Sequence, residues 1–192
     1  MVVTRVETTT IQMTRTGSTR SGTGERHHWT QTCCDAAAEG RTLHVRLHTR
    51  SVVPAFGTRD YHEDVRERVR RLADAGTIDD VSVEAWGNQV GTSHSEHVDA
   101  ETAATVETYQ AWADRHDVAL PFEERHCNST LIDDTYTVLV PPHLLLAVAD
   151  GDGTVLGVAP TVNGSESVSV MDLLTLLADR TDHDDQRASV SA

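Results

Sequence analysis

The chain has 192 residues and a formal charge of −14, from 30 acids set against 16 bases. That length points to one domain, or one domain with tails, and the absence of any run of about 18 apolar residues excludes a membrane-spanning helix. The first residues lack the apolar core of a secretory signal, and three cysteines (Cys33, Cys34, Cys127) do not make a disulfide framework.

Every base is an arginine, and lysine is absent. An acid-rich, lysine-free chain with only 4% aromatic residues resembles cytosolic proteins of salt-in haloarchaea, so a cytoplasmic location with reduced thiols is expected. At molar salt the Debye length falls to about 3 Å, so the acidic surface neither repels DNA strongly nor marks a basic partner.

Residues 1–40 read as a tail. The stretch TTTIQMTRTGSTRSGTGERHHWTQTCC is rich in Thr, Ser, Gly and Arg and keeps no sustained period. It offers too little apolar surface to offset the entropy of ordering, so disorder is expected. An upstream mis-start is the other expectation, with Met13 as a later start. Residues 41–180 form the expected domain, and 181–192 a polar tail.

From Thr42 the pattern sharpens. Leu43, Val45 and Leu47 alternate with His44, Arg46 and His48, the period of a strand with one buried face. Pro54 and Gly57 punctuate a connection, and Thr58 is placed to cap a helix beginning at Arg59. Tyr61, Val65, Val69 and Leu72 recur at helical spacing, and Gly76 is placed to end that helix. Val81, Val83 and Ala85 then alternate as a second strand, which prescribes a right-handed crossover.

A polar loop over 87–98 leads to Asp99, the cap of a helix reaching His116, with Ala103, Val106, Tyr109 and Trp112 or Ala113 facing inward. Residues 122–127 and 136–140 read as strands, the second stopped by Pro141 and Pro142. Residues 144–148 and 155–159 flank the turn Asp150-Gly151-Asp152-Gly153, and Asn163-Gly164 marks another turn. Ser169 and Asp172 match a capping box before Leu173, Leu174, Leu176 and Leu177. This order gives an α+β two-layer sandwich, loosely ferredoxin-like, with an added hairpin and a short C-terminal helix; a doubly wound sheet is the alternative.

The arginine-rich helix HEDVRERVRR invites a DNA-recognition reading, but Asp64 precedes Arg68 by four and Glu67 precedes Arg71 by four, a self-neutralised face. A helix-turn-helix needs two helices joined by a turn of about 3–4 residues, and here a strand and a loop intervene. His94, His97, His126 and Cys127 are donors of zinc type without a paired motif, so no metal is assigned. The segment from Asp150 resembles a calcium loop, yet its twelfth position is Thr161 rather than glutamate. No nucleophile elbow, phosphate loop or dinucleotide fingerprint occurs, so no catalytic residue or cofactor is assigned, which leans against an enzyme.

One surface remains for binding. With Leu43, Val45 and Leu47 turned inward, His44, Arg46, His48 and Arg50 project from the opposite face. Ser82, Glu84 and Trp86 share that parity on the next strand, placing an indole near the guanidiniums. If the face is uncovered it would bind a small ligand, a second copy or stacked bases.

The segments RLHTRSVVPAFGTRDYHEDVRERVRRLADAGTIDDVSVEAWG and YTVLVPPHLLLAVADGDGTVLGVAP resemble a group of small haloarchaeal proteins, some described as of helix-turn-helix type, over residues 42–178. That resemblance implies a regulator and brings no catalytic motif. The first expectation is a non-enzymatic binding or regulatory module using the open face for a ligand, a protein partner or self-association. The second is a nucleic-acid-associated transcriptional regulator. The third is a metalloprotein or enzyme built on His94, His97, His126 and Cys127.

Overall fold

The computed structural model describes residues 28–51, 57–91, 100–129 and 134–179. Along the chain run α1 (His28–Ala38), β1 (Leu43–Thr49), α2 (Arg59–Asp74), β2 (Asp80–Ala85), β3 (Val90–Gly91) and α3 (Ala100–Arg115). Then follow β4 (Glu123–Ser129), β5 (Asp134–Val140), β6 (Leu144–Asp150), β7 (Val155–Ala159), β8 (Thr161–Asn163) and β9 (Glu166–Val168). A last helix, α4, covers residues 170–179. The class is α+β with a short C-terminal helix, as the pattern predicts.

The strands divide into a four-stranded sheet of order β2-β1-β6-β7, a three-stranded sheet β3-β5-β4 and the hairpin β8-β9. The α2 crossover returns the chain so that β2 pairs β1 in parallel, while β6 pairs β1 antiparallel on the other side. Pro141 and Pro142 stand between β5 and β6 and cannot donate to a ladder, so the two strands they separate join different sheets. This division is the main departure from a ferredoxin-like arrangement.

The main core lies on one face of the larger sheet. Val45 pairs Val148 and Leu47 pairs Leu146, and residues opposite each other share a face. Over them α2 lays Val65, Val69 and Leu72, and α4 buries Leu173, Leu174 and Leu177. Arg68 Nη2 donates to Thr175 Oγ1 at 3.2 Å, fastening α2 to α4. The predicted stripe on α2 shifts by one residue at its start: His62 is buried and Tyr61 is 40% exposed. Thr58 holds the N-cap position without a side-chain capping bond, and α2 ends at Gly76, whose φ of 74° suits a residue without Cβ. The capping box at α4 is reciprocal: Asp172 N–H donates to Ser169 Oγ at 3.1 Å, and Ser169 N–H donates to Asp172 Oδ2 at 2.9 Å.

Two expectations are corrected here. Residues 28–38, assigned to a disordered tail, form α1, which buries Trp29, Cys33, Cys34 and Ala36. Trp29, Cys33 and Ala36 recur at i, i+4 and i+7, a helical stripe hidden inside a polar stretch. Gly157, which pairs Val148, admits this helix: a Cβ there would lie 2.6 Å from Cys33 Sγ and 2.9 Å from the Trp29 ring. The second correction concerns β2. Val83 is 53% exposed, because β2 is the sheet edge and α2 covers only its inner side.

Candidate functional site

The parallel register of β1 and β2 decides what the basic stripe meets. His44 pairs Asp80 and His48 pairs Glu84, so an acid stands across from each histidine. His44 Nδ1 lies 3.7 Å from Asp80 Oδ2, and His48 Nδ1 lies 3.6 Å from Glu84 Oε2. Reading β1 by itself leaves the stripe unanswered; its neighbour answers it.

The face is also not open along its length. Helix α3 crosses it and sets the Tyr109 hydroxyl 2.8 Å from His48 Nε2. On its other side the His48 ring stacks on Trp86, with centroids 4.6 Å apart and planes 18° apart. Trp86 is held there by its backbone N–H, which donates to the Thr49 carbonyl at 3.1 Å, and by the Phe122 ring against its edge. His48 is therefore only 2% exposed and Trp86 only 7%. Arg50 is drawn away from the face: its Nε donates to the Pro141 carbonyl at 3.0 Å, and its backbone N–H to His143 O at 3.1 Å. It ties β1 to the link between the sheets. Of the five residues expected on an uncovered face, Arg46 is exposed and His44 and Arg50 are half-buried, while His48 and Trp86 lie beneath α3.

The neighbours of the ring set where its hydrogen sits. The Glu84 carboxylate faces Nδ1 at 3.6 Å, and a nearby negative charge favours the neutral tautomer with its hydrogen on that nitrogen. Nε2 is then the acceptor, and the Tyr109 hydroxyl donates to it at 2.8 Å. The ring is neutral because burial lowers its pKa to about 4, with the Arg46 charge acting in the same direction. Glu84 at 3.6 Å favours the cation, but its side chain is 54% exposed and its charge is screened by water. Burial also raises the Tyr109 phenol to about 12 against the opposing pull of Arg46.

Beside His48 lies a cavity of about 340 Å³, bounded by Glu84, Ala85 and Trp86 and by Glu101, Thr102 and Thr105 from the first turns of α3. Sequence reasoning missed Tyr109 and the α3 residues, because Tyr109 fits the inner stripe of a helix. The available signal was its hydroxyl, which a buried tyrosine must pair. A second, shallower hollow of about 250 Å³ lies between α2 and the β2 edge, lined by Leu47, Val69, Ala73, Val81 and Val83 with Arg66 and Arg70 at its rim. His94 and His97 lie outside the described residues, and His126 Nδ1 lies 3.0 Å from Thr137 Oγ1 on an exposed strand. Among the described residues no three His, Cys, Asp or Glu side chains gather as a metal set, and no helix is long and apolar enough to cross a membrane. The Asp150 carboxylate is engaged within its own turn, accepting from Thr154 N–H at 2.9 Å and from Arg41 Nη2 at 2.9 Å.

The sequence matches a helix-turn-helix domain family over residues 37–182. The chain belongs to that family. No curated protein and no solved structure matches it. The match begins near β1 and so excludes most of α1. Among the described residues, strands separate α1 from α2, α2 from α3 and α3 from α4, so no helix pair there is joined by a turn of three or four residues.

Proposed function

We propose that this helix-turn-helix family member is a nucleic-acid-associated regulator. The family match over residues 37–182 carries the reading. It follows that the protein works in the cytoplasm, where the nucleic acid is. Stacking of bases on Trp86 is disfavoured by the burial of that ring, so contact falls to the arginines of α2. Arg59 and Arg71 are paired with Glu63 and Glu67 on their own helix, and Arg68 is turned toward Thr175. Arg66 and Arg70 form no ion pair among the described residues and stand one helical turn apart at the rim of the α2–β2 hollow. That spacing suits two phosphates of one backbone, with the sequence-independent part of affinity supplied by counterion release.

The test is a fluorescence-anisotropy titration of duplex DNA at several salt concentrations, with wild type and an Arg66→Gln, Arg70→Gln variant. The slope of log affinity against log salt is expected to shrink by about 2 in the variant, roughly one per lost phosphate contact. An unchanged slope removes α2 as the contact surface. Retention of no DNA or RNA at low salt overturns the regulator reading.

A further inference from the structure

The cavity beside His48 combines three features that an idle surface dent does not need. Its wall includes a histidine 2% exposed, whose Nδ1 faces Glu84 Oε2 at 3.6 Å, too far for a hydrogen bond, and has no hydrogen-bond partner among the described residues. Its rim carries two carboxylates, Glu84 and Glu101, on different elements. Its volume of about 340 Å³ is that of a small-metabolite site. With Nε2 engaged by the Tyr109 hydroxyl and Nδ1 facing the Glu84 carboxylate, the ring presents a donor, Nδ1–H, beside an acceptor.

We propose that this cavity binds a small molecule through a planar amide or lactam edge, a carbonyl oxygen next to an N–H. The ligand oxygen accepts from His48 Nδ1–H, and the adjacent N–H donates to the Glu84 carboxylate. One ligand group thereby satisfies both protein groups, which are too far apart to satisfy each other. The second carboxylate, Glu101, sets the charge preference: nucleosides, free bases and carboxamides are accepted, while their phosphorylated forms are repelled. The Thr105 hydroxyl donates to the Glu101 carbonyl at 2.9 Å, which leaves its oxygen as an acceptor for a further ligand donor. The site is separate from the α2 arginines and does not depend on nucleic-acid binding.

The chemistry is shared by carboxamides and lactam bases, so the test uses one of each with its methylated control. Full-length protein is titrated with nicotinamide, N,N-dimethylnicotinamide, inosine and 1-methylinosine, following tryptophan fluorescence and confirming by calorimetry. Saturable binding is expected for nicotinamide, inosine or both, at least tenfold weaker for the N-methylated partner, which has lost the donor. Inosine monophosphate is expected to bind more weakly than inosine. Glu84→Ala, at an exposed position, is expected to weaken binding at least tenfold, and Thr105→Phe, which fills the cavity, to abolish it. Absence of binding by all four probes, equal binding of the methylated compounds, or binding untouched by Glu84→Ala each overturns the proposal. Binding of one probe class alone assigns the site to carboxamides or to lactam bases.

Discussion

The Tyr109 hydroxyl lies 2.8 Å from His48 Nε2, joining the middle of α3 to the end of β1 inside the protein. With Trp86 stacked on the other side of the ring, this bond holds α3 across the sheet and sets the donor that faces the cavity. Tyr109→Phe removes the hydroxyl and leaves a buried imidazole nitrogen without its donor, at a cost of about 1–3 kcal/mol. Urea unfolding measures the loss. In a His48→Leu background the same change is expected to cost less than about 0.5 kcal/mol, because no acceptor remains to be orphaned. Equal costs in both backgrounds would show that the bond contributes nothing.

The neutral state of His48 gives stability a pH dependence of known sign. Its folded pKa, about 4, lies below the ordinary 6.5 of an unfolded chain, because the ring is buried and Arg46 stands nearby. Among the described residues the groups facing it are Arg46, Glu84, Tyr109 and the neutral Trp86, with Glu101 on the same cavity, and the two carboxylates oppose the shift. Between those pH values the unfolded chain binds a proton that the folded chain refuses, so stability falls as pH drops through the window and is fully present above it. At about 1.4 kcal/mol per pH unit the loss approaches ~3 kcal/mol near pH 4. Carboxylates titrate in the same range, so the informative quantity is the difference between wild type and His48→Leu. That difference is expected to narrow on acidification from pH 7 to 4. Burial lowers His62 and His116 too, so the variant retains a shallower slope of the same sign. A difference independent of pH would mean that His48 titrates alike in both states.

The strand–helix–strand unit from β1 to β2 is legible in the sequence because each element carries its own period and its own punctuation, Pro54, Gly57 and Gly76. The capping box at Ser169 and the turn at Asp150 are legible for the same reason: their chemistry is local. What cannot be read is register. The parity argument puts His48 and Trp86 on one face, and the structure stacks them, but nothing in β1 reveals that Glu84 will stand opposite His48 or that α3 will cover both. The helix α1 is missed for another reason. Its apolar residues have the right spacing, but two of them are a tryptophan and a cysteine among threonines, and averaging over the surrounding polar stretch conceals them.

Cys33 and Cys34 are buried and in no disulfide, and burial, with Cys34 alongside, pushes the Cys33 thiol well above its ordinary range. The thiolate is the reactive form, so both groups are expected to be inert in the folded state. In a Cys127→Ser variant, which leaves only these two, disulfide-exchange reagent should label the native protein roughly a thousand times more slowly than the urea-unfolded chain, since labelling must wait for opening. Comparable rates would place α1 off the sheet in solution.

The seating of α1 on β7 can be tested from the strand side. Gly157 is the point of closest approach, where a Cβ would stand 2.6 Å from Cys33 Sγ and 2.9 Å from two carbons of the Trp29 ring. None of these atoms can withdraw: Cys33 is fully buried, and Trp29, 1% exposed, is braced edge-on by Trp112 at 5.2 Å. Gly157→Ala is therefore an overpacking change and is expected to cost about 1–3 kcal/mol. Cys33→Ala removes the sulfur, and in that background Gly157→Ala should cost measurably less, though not nothing, because the indole contact remains. Thermal or urea unfolding of the four proteins closes the cycle. The same packing predicts that a chain beginning at Arg41 loses the burial of Trp29, Cys33, Cys34 and Ala36 and unfolds at markedly lower denaturant. If Gly157→Ala is neutral and the shortened chain is as stable as the whole, α1 is not part of the domain. If both are destabilised, the domain begins before the span that the family match covers.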